Sequence, residues 1–142
     1  MFSNIIAAVD GSDISFLALD RAIEIAKQNN AKLHAIYVIE SHAMSSSPLD
    51  TSGDMHHRRL EKEAAETIEK VKKVAEEKQI VIDTHIGNGH PGDAVVNFAE
   101  KNGCDLIVAG SLGKSAFDRL LLGSVSGYMV KASKTNILIV RD

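Results

Sequence analysis

Ile5-Ile6-Ala7-Ala8-Val9 is apolar at five consecutive positions and stops abruptly at Asp10-Gly11-Ser12. A strand with one wet face alternates apolar and polar residues. An unbroken run therefore marks a strand covered on both faces, as in a parallel sheet. Ser12 is suited to cap a following helix, because its hydroxyl can accept an orphan first-turn N–H. From there to Asn29, Ile14, Leu17, Ala18, Ala22, Ile25 and Ala26 form one broad stripe at helical spacing. A buried strand followed by a one-faced helix is half of a βαβ unit, and the rest of the chain repeats it.

Leu33 to Ile39 reads as the second strand and ends at Glu40. Residues 41–53 hold three consecutive serines, a proline and a glycine without periodicity, and are expected to form a mobile crossover loop. Asp54 to Gln79 places Leu60, Ala64, Ile68, Val71 and Ala75 on one face, with Lys and Glu as its solvated remainder. Ile80 to Ile86 is the third expected strand. Pro91 then suits a first helical position, Asp93 suits the positive end of the helix dipole, and Asn102-Gly103 stops the helix. Leu106 to Ala109, Ser124 to Ala132 and Asn136 to Val140 complete the alternation as strand, helix and strand. The pattern predicts an α/β three-layer sandwich with a five-stranded, mainly parallel sheet and right-handed crossovers.

At 142 residues the chain is long enough for one domain and one main sheet. A formal net charge of −3 and the absence of tryptophan argue against a dedicated nucleic-acid binder. No apolar run approaches the ~18 residues of a membrane span, and the N-terminal residues lack the pattern of a signal peptide. Cys104 is the single cysteine and has no partner for an internal disulfide. These features predict a cytoplasmic protein.

In open α/β sheets, ligands lie beyond the carboxyl ends of the strands, where strand order reverses. That rule directs attention to Asp10, Glu40, Gly87 to His90 and the segment Gly110 to Ser126. Glycines let backbone N–H groups approach phosphate oxygens, and Gly123-Ser124 opens a helix whose N-terminus attracts anions. Ser124 and Ser126 add hydroxyls, and Lys114 and Arg119 add positive charge. Gly113-Lys114-Ser115 is not a Walker A loop, because that pattern requires glycine at position 108, which is Val108 here. The GxGxxG dinucleotide fingerprint is also absent after the first strand. Spacing alone leaves two readings open: a phosphate cradle, or ordinary turn glycines and a helix cap.

Gly110-x-x-Gly113, nine residues and Gly123-Ser124 together resemble the G-2x-G-9x-G(S/T) pattern of nucleotide-binding universal stress proteins. Val9-Asp10-Gly11-Ser12, Asp105-Leu106-Ile107-Val108 and Arg119 to Ser126 resemble other parts of that family, in the same order. The resemblance covers essentially the whole chain as one domain, 1–142, and implies strand order 3-2-1-4-5. It implies that Asp10 and Val38, with Ala8 or Val9, line an adenine and ribose pocket. Gly110 and Gly113 would follow toward ribose and the α-phosphate, with Ala109 also in the nucleotide-binding set. Gly123, Ser124, Val125 and Ser126 would hold the outer phosphates of ATP, bridged by Mg²⁺ or Mn²⁺ without a dedicated protein metal site. The family's fifth strand commonly forms a homodimer contact, here Ile137, Leu138, Ile139 and Val140, although Asn136 stands where relatives often have proline.

The remaining chemistry-bearing residues favour bland roles. His56-His57 point in different directions on a helix, and no HExxH or Cys/His cluster accompanies them. His90 reads as a polar loop residue and Cys104 as a small packing residue. Met44 and Met55 read as surface methionines. Two functions remain: a nucleotide-dependent regulatory module of the stress response, or a slow ATP hydrolase or phosphate-transferring enzyme. AMP or cyclic AMP is an alternative ligand. Ser111, Ser124 and His90 are weak candidates to position an attacking water, so binding without efficient catalysis is the expected function.

Overall fold

Ile5, Ile6 and Ala7 are fully excluded from solvent. The structure is a computed structural model and describes residues 1–40, 51–112 and 122–142. The elements are β1 (Asn4–Ala8), α1 (Asp13–Asn29), β2 (Lys32–Ile39), α2 (Thr51–Glu77), β3 (Asp83–Asn88), α3 (Pro91–Lys101), β4 (Leu106–Gly110), α4 (Ser124–Ala132) and β5 (Asn136–Val140). The sheet runs β3-β2-β1-β4-β5, and every pairing is parallel. The expected α/β sandwich and its strand order are therefore present. No described helix is long and apolar enough to cross a membrane.

Alternate residues of the buried strands serve two separate cores. Ile5, Ala7 and Val9 join Leu19, Ile23, Ile68 and Val71 under α1 and α2. Ile6 turns the other way and packs with Ile107, Val95, Ala99 and Met129 under α3 and α4. This is the physical content of the run without alternation: each residue has an apolar layer to enter, whichever way it points. Each large aliphatic side chain so buried stabilises the fold by about 1.5–3 kcal/mol. Ser12 caps α1 as expected, its hydroxyl accepting the Ser15 N–H at 3.3 Å.

Two boundaries differ from the sequence reading. α2 begins at Thr51, so 51–53 are helical, while 41–50 of the expected loop lie outside the described residues. Gly53, a poor helix former, moved the sequence boundary too late. The third strand spans Asp83–Asn88 rather than 80–86. Gln79 takes a left-handed conformation (φ 56°), and the Ile80 N–H returns to the Ala75 carbonyl at 3.0 Å. Ile80 and Ile82 are thus spent on closing α2 and padding the first core, and pairing starts only at His34 opposite Asp83.

One polar pair interrupts the apolar face beneath α3. His34 of β2 is 4% exposed, and its Nδ1 lies 3.1 Å from Nε2 of His85 on β3. Phe98 of α3 packs against both rings, at centroid distances of 5.4 and 4.4 Å. Nε2 of His34 is buried without a hydrogen-bond partner among the described residues. Burial pushes both imidazoles below their ordinary value of 6.5; the adjacent His85 pushes His34 down further, while Asp83 partly opposes the shift at both. Above that value both rings are neutral folded or unfolded, and no penalty arises. Below it the unfolded chain takes up protons that the folded chain resists. Urea unfolding should therefore show stability falling from about pH 7 to about pH 5, and His34→Leu should flatten the fall. An unchanged slope in that variant would mean that the pair titrates as it does in the unfolded chain.

Candidate nucleotide-binding cleft

The order reversal lies between β1, which feeds a connection toward β2 on one side, and β4 on its other side. At the carboxyl ends of these strands is a cleft of about 680 Å³. Ala8, Val9 and Asp10 reach it from the end of β1, Val38 from β2, and Ala109 and Gly110 from β4. Gly123, Ser124, Val125 and Ser126 reach it from the start of α4. Ten of the eleven residues that sequence reading assigned to nucleotide binding thus border one space. The eleventh, Gly113, lies outside the described residues, as do Lys114, Arg119 and Met44.

Local hydrogen bonds fix the β1 side. Oδ1 of Asp10 accepts from the Ser12 N–H at 2.9 Å and from the Ser12 hydroxyl. The Asp10 N–H donates to Ser15 Oγ at 3.3 Å, and that hydroxyl donates to the Ser12 carbonyl at 2.8 Å. Gly11 has φ 89°, a turn that a side chain would strain. The carboxylate is oriented through Oδ1, and Oδ2 has no hydrogen bond to a described residue. The turn-capping and ligand-facing roles of Asp10 are therefore compatible.

The α4 side is tied to β4 through the backbone of Ser111. Its carbonyl accepts from the Gly123 N–H at 2.7 Å and from the Ser126 hydroxyl at 3.0 Å. Its N–H donates to the Val140 carbonyl at the end of β5 at 2.9 Å. Ser126 is 4% exposed and also reaches the Gly123 carbonyl at 3.2 Å, so its proton fastens the loop. Ser124 is exposed at the helix start. Gly123 caps α4 without a side chain, and no acidic residue occupies the first turn, which leaves a helix N-terminus suited to an anion.

Gly110 has a different reason to be glycine. A Cβ there would stand 2.9 Å from Cγ1 and 3.3 Å from the carbonyl oxygen of Ile14, so the position is dictated by α1 packing on β4. Sequence reasoning missed the other walls: Pro91 and Val95 of α3, Leu60 of α2 and Met129 of α4. Met129 stands one turn beyond Val125, so helical spacing was the available signal for it, whereas Leu60, Pro91 and Val95 are brought to the cleft by tertiary packing. His90 caps α3 by accepting the Asp93 N–H at 3.2 Å. His57 pairs with Glu61 and His56 contacts Arg59 on the surface of α2. Cys104 is buried and its thiol is pushed up to about 11, chiefly by burial, which makes it an inert packing residue. Among the described residues no group of three or more His, Cys, Asp or Glu could hold a metal ion.

The sequence model of the universal stress protein family matches residues 1–141. The chain belongs to the universal stress protein family. It is 38% identical to universal stress protein MJ0531 of Methanocaldococcus jannaschii over 141 residues, 99% of this chain and 83% of that one. Universal stress protein UspA from Lactobacillus plantarum superposes with a TM-score of 0.86 at 27% identity, covering 98% and 97% of the two chains. A universal stress protein solved in complex with cAMP superposes with a TM-score of 0.70 at 29% identity, covering 99% and 97%.

Within this universal stress protein fold, Gly110→Ala tests the packing account of that glycine. The added methyl meets both the side chain and the backbone of Ile14, so the strand and helix must separate. Denaturant unfolding should show a loss on the order of 1–3 kcal/mol. A neutral result would return the glycine to a purely ligand-facing role.

Proposed function

We propose that the protein is an ATP-binding universal stress module, whose nucleotide state is read by a partner during the stress response in the cytoplasm. The observation that carries this reading is the convergence of Asp10, the Gly110 backbone and the uncapped start of α4 on one cleft at the order reversal. Apolar walls from Ala8, Val9 and Val38 suit an adenine ring, and Asp10 suits a ribose hydroxyl or the adenine amino group. The Gly123–Ser126 turn would receive the outer phosphates. Mg²⁺ or Mn²⁺ would be held mainly by phosphate oxygens and water, as Mg²⁺ commonly is. The relative solved with cAMP supports an adenine nucleotide as the ligand class and makes a cyclic or monophosphate ligand the second reading.

Binding is favoured over turnover by the state of the hydroxyls. Ser111 is buried, His90 Nδ1 accepts the Asp93 N–H, and the Ser126 hydroxyl proton is engaged by two carbonyls. That leaves Ser124 as the exposed hydroxyl at the cleft among the described residues, and an unactivated serine is a poor base for an attacking water. Gly123 has φ −60° and ψ 163°, a conformation that β-branched residues accept. Gly123→Val should therefore fold normally and lose ATP binding by calorimetry, because its side chain occupies the phosphate path. Normal ATP affinity in that variant would refute the phosphate assignment. Phosphate release equal to that of the variant would remove any hydrolase activity.

Assembly through β5 belongs to the same proposal. Leu138 is 37% exposed on an edge strand whose outer N–H and C=O groups invite pairing. Leu138→Asp should shift the mass measured by light scattering from dimer to protomer. An unchanged mass would exclude the β5 interface.

A further inference from the structure

α4 is nine residues long, and a helix that short is positioned by its tertiary contacts rather than by its own stability. The Ser111 carbonyl holds it on the β4 side. On the α3 side Tyr128, one turn after Ser124, joins the buried packing of Met129 with Val95, Val96 and Ala99. A Cβ on Gly92 would lie 2.6 Å from Cδ1 and 3.3 Å from Cγ of Tyr128, so the ring rests directly on the glycine backbone. The phenol donates to Oδ1 of Asp93 at 3.2 Å, and the His90 ring flanks it at a centroid distance of 4.6 Å. All three partners come from the cap and first turn of α3.

Pro91 and Val95 of α3 and Ser124 and Val125 of α4 all border the cleft. We propose that Tyr128 is a positioning residue that fixes the phosphate-facing end of α4 by clamping it to Gly92 and Asp93 at the start of α3. The inference rests on the nucleotide reading above and deepens it, because it names what sets the width of the cleft at its phosphate end. Tyr128 does not border the cleft itself and is 39% exposed, so neither direct ligand contact nor core filling accounts for its contacts. Its effect should fall on the outer phosphates and spare the nucleoside end, which β1 and β2 hold.

The test is calorimetric titration of the full chain with MgATP and with AMP. Tyr128→Ala should raise the ATP Kd about tenfold and the AMP Kd by no more than about twofold. Tyr128→Phe keeps the ring on Gly92 and loses only the bond to Asp93, so it should fall between. Gly92→Ala leaves Tyr128 in the chain but displaces its ring. It should weaken ATP in the same selective way, even though alanine is the better helix former. Without ligand, amide exchange from Gly127 to Lys131 should quicken in Tyr128→Ala.

Equal weakening of ATP and AMP would reduce Tyr128 to a stabiliser of the fold and overturn the inference. So would unchanged ATP affinity with unchanged exchange. If the wild type binds ATP, Gly123→Val loses it and Tyr128→Ala keeps it, the failure belongs to the clamp. If the wild type binds no ATP, the failure belongs to the nucleotide reading, and the clamp's role falls with it.

Discussion

The structure depends on the double pairing of β1. Ile5 lies opposite Leu33 of β2 on one side and Leu106 of β4 on the other, so neither edge of the strand is available to solvent. Parallel strands need long crossovers, and right-handed ones return on a face set by the direction of the next step. From β1 the chain steps to β2 and β3, and from β4 it steps to β5 in the opposite direction. The connections leaving β1 and β4 therefore diverge to opposite faces, with α1 on one and α4 on the other. A crevice at their carboxyl ends is a geometric consequence of that divergence. The site is thus prior to any ligand.

Divergence also creates a problem for the backbone around the crevice, because polar groups at strand ends must find partners. Ser111 resolves much of it. Its N–H continues the β4–β5 ladder to Val140, and its carbonyl takes both the Gly123 N–H and the Ser126 hydroxyl. The backbone of one residue thereby joins the ends of two strands to the start of a helix. On the β1 side, Asp10 and Ser12 do the equivalent work through side chains. Both margins are held by short-range bonds, and the space between them is lined by apolar and polar groups together.

The elements that were legible in the sequence are those where one cause dominates. Ile5–Val9 and Leu106–Ala109 are buried on both faces, and hydrophobic runs report that directly. α4 and β5 were also placed, since Gly123-Ser124 and Asn136 give local boundaries. The third strand was misplaced because Ile80 and Ile82 are apolar for a different reason: they close α2 and pad a core without joining the sheet. Apolarity reports burial and is silent on pairing. The site shows the same division. Residues following strands were found by the rule that places ligands there, whereas Leu60, Pro91 and Val95 come from helices that tertiary packing swings over the cleft.

Glycine illustrates how far a motif reaches. Gly110 and Gly123 belong to one sequence pattern, yet a side chain at 110 collides with Ile14 while the backbone at 123 is open to many residue types. Gly92 lies outside the pattern, and its missing Cβ is filled by the ring of Tyr128. A spacing rule treats the first two alike and omits the third. The three nonetheless act on the same cleft: one sets how closely α1 approaches β4, one leaves the α4 terminus bare, and one seats α3 against α4. A cleft that receives phosphates needs an exposed helix end held at a fixed distance from the strands. Exposure follows from the residue at the end, and distance follows from residues that never face the ligand. The pattern in the sequence records mainly the first requirement, and only the packed structure displays the second.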